Sequence, residues 1–215
     1  NYLSKIRNKI GMTDEQLQKE IEYNRGRIAT KIVEPSQIQF SPALNKVFIK
    51  IYEEITIFNS AHNIDYSYDD MYKTFKIPKR SGGYREICAP EDDLKKLQHS
   101  VMRHVTKGLR FLPHNAAHGF TKKRNCKTSL QVHQAAGSRW FLKLDIKDFF
   151  PSTKFGLILT TMNHVYPFCL MPDHMKEKLV TLCTRNGETP QGAPTSPMIT
   201  NMVMEPNDVA ITKYS

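Results

Sequence analysis

Residues 141–152 read FLKLDIKDFFPS, and the acid lodged inside this apolar run restricts the fold more than any other feature of the chain. Leu142, Leu144 and Ile146 have the alternation and composition of a buried strand, yet Asp145 sits among them. Burying a carboxylate costs several kcal/mol unless it is paired, hydrogen-bonded or bound to a metal. A hard divalent cation is the natural partner, because Mg²⁺ is commonly held by one or two carboxylates while phosphate oxygens complete its shell. The plain alternative puts Asp145 at an exposed strand end, with Pro151-Ser152 forming only a turn.

The remainder of the chain must supply the core and the partner. Its 215 residues, 40 % of them apolar, suffice for one large domain or two small subdomains. Thirty-one basic against 21 acidic residues give a net charge of +10, expected of a chain that meets a polyanion: nucleic acid first, an anionic membrane surface second. There is no run of 18 apolar residues, and the opening NYLSKIRNKI lacks the apolar stretch of a signal peptide. The expectation is a cytoplasmic protein with no membrane partner. Cys88, Cys126, Cys169 and Cys183 never form a CxxC pair, so reduced, mostly buried thiols are expected rather than zinc ligands or disulfides.

Taken in order, residues 1–12 are basic and without periodicity, and Thr13-Asp14-Glu15-Gln16 fits a capping box opening a helix that ends near Gly26. Ser41-Pro42 starts a second helix, on which Leu44, Val47, Phe48, Ile51, Tyr52, Ile55 and Phe58 recur at helical spacing and are read as core. Tyr72 to Ile87 predicts two short strands around Ser81-Gly82-Gly83, a hairpin bearing Lys79, Arg80 and Arg85. Glycines at its tip allow close approach to phosphates, which a guanidinium binds in bidentate fashion; the bland alternative is a solvated basic hairpin. Pro90-Glu91-Asp92-Asp93 opens a helix with acids in its first turn and Leu94, Leu97, Val101 and Val105 on one face. Lys95, Lys96, Arg103 and Lys107 lie mostly elsewhere on it, placed to follow a nucleic-acid backbone or simply solvated.

Residues 114–124, HNAAHGFTKKR, read as a loop or short strand with three consecutive cations, Lys122, Lys123 and Arg124. Asn125 to Ala136 predicts a helix, and residues 154–184 predict further helix with a break at Tyr166-Pro167 and a new start near Pro172-Asp173. His114, His118, His133 and His164 have no metal-ligand spacing. Thr189-Pro190-Gln191-Gly192-Ala193-Pro194-Thr195-Ser196-Pro197 follows, a loop that its prolines make rigid.

The hairpin around Ile77–Ile87, the LDIKDFF strand and the TPQGAPTSP loop, in this order and at these spacings, resemble the fingers and palm motifs of reverse transcriptases, most closely the bacterial retron and defence-associated type. The resemblance covers residues 70–200 well and the amino-terminal helices loosely. It implies an α+β right-hand polymerase fold with helix-rich fingers and part of an antiparallel palm sheet: 1–70 as an amino-terminal helical extension of the fingers, 71–140 as fingers, 141–215 as palm. It also implies RNA-directed DNA synthesis on an RNA template, in retrons a structured non-coding RNA. A DNA or self-priming RNA 3′ hydroxyl, deoxynucleoside triphosphates, two Mg²⁺ ions with Mn²⁺ as the alternative, and an oligomeric or accessory-protein partner belong to the same expectation.

By the same resemblance, Asp145 is the first metal carboxylate and Ile146 adds a backbone carbonyl ligand, for ions about 3.5–4 Å apart. Lys79 and Arg85 hold nucleotide phosphates, and Asp148 and Phe149 belong to the same nucleotide pocket. Phe150, five residues after Asp145, would exclude a ribose 2′ hydroxyl; Gln191 and Gly192 form the floor under sugar and base; Arg80, Lys122, Lys123 and Arg124 face nucleic acid. Tyr66-Ser67-Tyr68-Asp69-Asp70 is not the family's tyrosine-x-Asp-Asp motif, because its tyrosine is misplaced and it precedes Asp145; a solvated helix start is expected there.

That motif should follow TPQGAPTSP with two further carboxylates, and the sequence given reaches Ser215 without it. The expectation is a piece of a longer polymerase that, by itself, extends primers poorly or not at all; a binding module without synthesis, or carboxylates from a partner subunit, are the alternatives. Pro206 is expected to kink or end the helix after the loop.

Overall fold

The long amphipathic segment after Ser41 becomes helix α1 (Pro42–His62), which buries Phe48, Ile51 and Ile55, three positions of the predicted stripe. The structure, a computed structural model, describes residues 42–80 and 82–213; the predicted helix near residues 13–26 lies outside the described residues. A single 3₁₀ turn (Asp69–Met71) leads into strands β1 (Tyr72–Pro78) and β2 (Tyr84–Pro90), paired antiparallel from Tyr72 opposite Pro90 to Pro78 opposite Tyr84. Helix α2 (Asp92–Arg103) carries its acids in the first turn, as predicted, and continues as a π turn at His104–Gly108.

Helix α3 (Cys126–Ala135) is capped by Asn125, whose side chain accepts from the Lys127 and Thr128 N–H groups while Thr128 Oγ1 accepts from Asn125 N. The short α4 (Phe149–Ser152) and then α5 (Phe155–Met162), α6 (Asp173–Cys183) and α7 (Ser196–Ile211) complete the chain. The break between α5 and α6 falls at Tyr166–Pro167, as the sequence predicts. Pro206, in contrast, neither ends nor interrupts α7, which runs through it to Ile211. One missing N–H inside a helix already anchored by Met198, Ile199, Met202 and Val203 in the core does not outweigh that packing.

The core joins α1, α2, α5, α6 and α7 to the root of the hairpin. Leu94, Val101, Ile158, Met162, Phe168, Leu179, Leu182 and Met202 are fully enclosed, each such side chain contributing about 1.5–3 kcal/mol by leaving water. Buried polar groups are mostly paired: Gln98 Nε2 donates to Tyr72 Oη at 2.9 Å and to the Leu182 carbonyl at 3.0 Å, and Tyr68 Oη donates to Asn59 Oδ1 at 2.6 Å. Desolvation pushes the Tyr68 hydroxyl pKa up to about 12 despite the Asn59 bond. Gly108 lets the π turn lie against α1, since a Cβ there would stand 2.7 Å from Val47 Cγ1.

Two expectations need correction. The only sheet among the described residues is the β1–β2 hairpin, and residues 138–146 form no strand. Phe141, Leu142, Leu144 and Ile146 are exposed, Leu142 by 85 %, as are Leu130 and Val132 of α3, which has no buried residue. A strand is stable only when a neighbour takes its backbone hydrogen bonds, and among the described residues no strand pairs with this segment, whose Phe141 ring meets only the edge of His133 at 5.5 Å. The cysteines are all free, but only Cys183 is buried; Cys126 is exposed. No described helix is long and apolar enough to cross a membrane.

Candidate active site

The hairpin, the segment after Asp145 and the 189–197 loop enclose one open cleft of about 1210 Å³. Lys79 and Arg85 line one wall, Asp145, Ile146, Asp148, Phe149 and Phe150 another, and Gln191 and Gly192 the floor. Nine predicted positions thus converge although they span more than a hundred residues of sequence. Arg80, Lys122, Lys123 and Arg124 do not line the cleft.

The hairpin tip is closed by Lys79 N–H donating to Gly83 O (3.0 Å) and Gly82 N–H donating to Lys79 O (3.1 Å), with Gly82 and Gly83 both at positive φ. Arg85 stands opposite Ile77 in the ladder, beyond the buried root at Tyr72, and its side chain is exposed to the cleft. On the adjoining helix, Lys95 and His99 are one turn apart and line the same cleft, which gives Lys95 a more definite place than its sequence spacing did.

Asp145 is exposed rather than buried as its apolar neighbours predict, so no burial penalty demands a partner for it. Asp148 holds a left-handed backbone (φ 50°) as the residue before α4, and its carbonyl accepts from Ser152 N–H at 2.8 Å. Phe149 and Phe150 meet edge to face with ring centroids 6.2 Å apart, and both are half-buried against the cleft. Both phenylalanines, at the start of α4, line the same opening.

The floor is fastened to the hairpin. Cys88 N–H donates to Gln191 O at 2.7 Å, and a Cβ on Gly192 (φ 126°) would stand 2.9 Å from Ile87 Cγ2 and 3.0 Å from Cys88 O. Only glycine allows this approach. Ser196 Oγ donates to Pro190 O at 2.6 Å, and Thr189 donates to Thr153 O through both N–H (3.1 Å) and Oγ1 (3.0 Å).

Just before this loop, Arg185 and Glu188 exchange backbone bonds across Asn186-Gly187, both with positive φ, the signature of a type I′ turn. The sequence reading missed this turn, although Asn-Gly between extended residues is its standard signal. Around it gather Glu188 with its ion-pair partner Lys154, Phe155, whose N–H donates to Gly187 O at 2.8 Å, and Asp69, whose Oδ1 accepts from Asn186 N–H at 2.7 Å. Asp69 is thus more than a solvated helix start; it ties the segment before β1 to the floor of the cleft.

Arg124 has a different environment from Lys122 and Lys123. Its Nη1 donates to the carbonyls of His114, Asn115 and Ala117 at 2.7, 3.3 and 3.1 Å, and its Nη2 to Asn115 Oδ1 at 3.0 Å. That guanidinium closes its own loop, and Asn201 of α7 holds the loop from outside by donating to Gly119 O at 3.1 Å.

A family metal site needs more than these residues offer. Among the described residues, no three His, Cys, Asp or Glu side chains come together in a way that could hold a metal ion, and Asp145 with the Ile146 carbonyl does not make a two-ion site.

Comparison with known proteins places the cleft in a family. The sequence model of the family described as reverse transcriptase (RNA-dependent DNA polymerase) matches residues 77–214, which takes in every wall of the cleft. The retron Ec73 reverse transcriptase of Escherichia coli is 34 % identical over 146 residues, covering 66 % of this chain and 46 % of that protein. The retron Mx65 reverse transcriptase of Myxococcus xanthus is 36 % identical over 154 residues, 62 % of this chain and 34 % of its own length. The retron Ec86 enzyme of Escherichia coli is 27 % identical over 152 residues, 70 % of this chain and 45 % of its own. This chain therefore spans less than half the length of these relatives. With a family match that runs through the hairpin, the Asp145 segment and the Gln191 loop alike, the chain belongs to the reverse transcriptase (RNA-dependent DNA polymerase) family.

Proposed function

We propose that the protein containing this chain is an RNA-directed DNA polymerase of the retron type, acting in the cytoplasm, and that the cleft receives the incoming deoxynucleoside triphosphate. The observation that carries this reading is the convergence of Lys79, Arg85, Asp145, Phe150, Gln191 and Gly192 on one opening. In this reading residues 71–140 act as fingers and residues from 141 as palm of a right-hand polymerase. Lys79 and Arg85 neutralise the triphosphate, Arg85 as a two-pronged donor. Gln191 supports sugar and base from below, and the Phe150 ring excludes a 2′ hydroxyl. Lys122 and Lys123 meet the template backbone, a structured RNA on the analogy of the retron relatives, and Arg124 shapes the loop that presents them.

Mg²⁺ is the proposed cofactor of the whole polymerase. It would stabilise charge on the phosphoryl group and lower the pKa of the attacking hydroxyl. This chain offers it Asp145 and the Ile146 carbonyl, and further carboxylates have to come from outside the described residues. The alternative reading is a nucleic-acid-binding module in which the cleft is a scaffold. Primer extension by the full-length protein separates the two. Asp145→Asn is expected to lower synthesis by a factor of about 10³ or more while RNA affinity stays within about twofold, by analogy with removal of a group acting in the transition state. No synthesis by the parent favours the module, and unchanged synthesis in the variant removes Asp145 from the site.

A further inference from the structure

Arg185 lines the cleft, yet neither the motifs nor the proposed nucleotide contacts give it a task. It opens the Asn186-Gly187 turn, so its backbone is fixed by two bonds to Glu188, at 2.8 and 2.9 Å. From there its side chain crosses to the hairpin. Nη1 donates to Cys88 Sγ at 3.1 Å, and the guanidinium carbon lies 5.9 Å from the centroid of the Tyr72 ring. Its Nε is buried and finds no hydrogen-bond partner among the described residues.

A thiol is a weak acceptor, and a guanidinium that gives up water for one sulfur and a ring face is poorly repaid by those contacts alone. What the arrangement achieves is geometric. Cys88 is also the residue whose N–H holds Gln191 O at 2.7 Å and whose carbonyl would stand 3.0 Å from a Cβ on residue 192. Side chain 185 and backbone 191–192 therefore grip one residue of β2 from two directions. Arg85 lies three residues before Cys88 on the same strand.

We propose that Arg185 is a positioning residue for the incoming nucleotide: by locking β2 to the loop floor through Cys88, it fixes the separation between the Arg85 guanidinium and Gln191. The proposal rests on the polymerase reading above. It acts through binding geometry, so its loss loosens nucleotide capture more than it slows turnover.

The test uses the full-length polymerase on an RNA template with a DNA primer, measuring KM for dNTP, kcat, RNA affinity and Tm. Arg185→Met is expected to raise KM at least about tenfold while kcat falls less than about threefold, and Arg185→Lys, which keeps a cation in reach of the sulfur, to recover part of the loss. Unchanged KM, or KM, kcat and RNA affinity worsening together with a fall in Tm, overturns the proposal. Should Arg185→Met fail to fold, Cys88→Ala decides: it removes the sulfur but keeps the backbone tie, and a KM increase of about threefold supports the lock whereas an unchanged KM contradicts it. A parent enzyme without synthesis would refute the polymerase reading itself, whereas an active parent in which Arg85→Ala raises KM and Arg185→Met does not would refute this proposal alone.

Discussion

Gly192 shows how one atom governs the cleft. It and Gly187 both sit at positive φ, but a Cβ at Gly187 would meet nothing within 4 Å, whereas at Gly192 it would press on Ile87 and the Cys88 carbonyl. Alanine at either position incurs the conformational penalty, about 1 kcal/mol at Gly187; at Gly192 the collision adds to it, for a total of about 2–4 kcal/mol. Thermal melts should therefore rank Gly192→Ala well below Gly187→Ala, and equal losses would mean that the loop does not press on β2. The need for a glycine was legible in the sequence, but its neighbour was not. A motif names the residue that must be small, and only the fold shows that the crowding comes from the hairpin. The same limit applies to Arg124, which reads as one of three cations until its carbonyl partners are seen.

At the scale of elements, α1 and α2 are joined by a polar cluster as well as by Phe48, Ile55, Leu94 and Val101. Glu54 accepts from Ser100 Oγ at 2.9 Å and pairs with His104 Nε2 at 2.9 Å. Burial alone would raise its pKa, yet these bonds hold it below the ordinary 4.5. A depressed carboxylate contributes stability that is present above its unfolded pKa and fades as pH falls through its folded value. Glu54→Gln should accordingly lower Tm by a few degrees at neutral pH, with the gap to the parent narrowing below about pH 4.5. A gap that widens on acidification would contradict this assignment. Helices α1 and α2 were legible because their apolar spacing reports a face that really is buried, and α6 through its start at Pro172-Asp173. The 141–146 strand failed for a related reason: alternation records a segment able to be half-buried, but pairing requires a neighbour that no local pattern can specify. Trp140, the one tryptophan of the chain, stands directly before this stretch and is 93 % exposed. Its emission in this chain should be that of a hydrated indole, openly quenched by iodide; a blue-shifted, protected emission would mean that the segment is covered.

For the molecule as a whole, the described residues form a helical core from which a basic hairpin projects, with a cleft between that hairpin and the Gln191 loop. The family, the hairpin and the loop were legible in the sequence; the Asn186-Gly187 turn, the bond from Asp69 and the double grip on Cys88 were not, since each joins residues whose partners lie far away in sequence. The central claim is that position in this cleft, rather than positive charge in general, decides who binds nucleotide. Arg85 and Arg80 offer the comparison, because both belong to the hairpin region and only Arg85 lines the cleft. The most direct measurement is the KM for dNTP of the full-length polymerase with each arginine changed to alanine. The account predicts a rise of about tenfold or more for Arg85→Ala, as loss of a charged hydrogen bond to phosphate entails, and less than about twofold for Arg80→Ala. Equal rises for the two would show that the hairpin acts as a diffuse cation and would contradict the cleft as the nucleotide site.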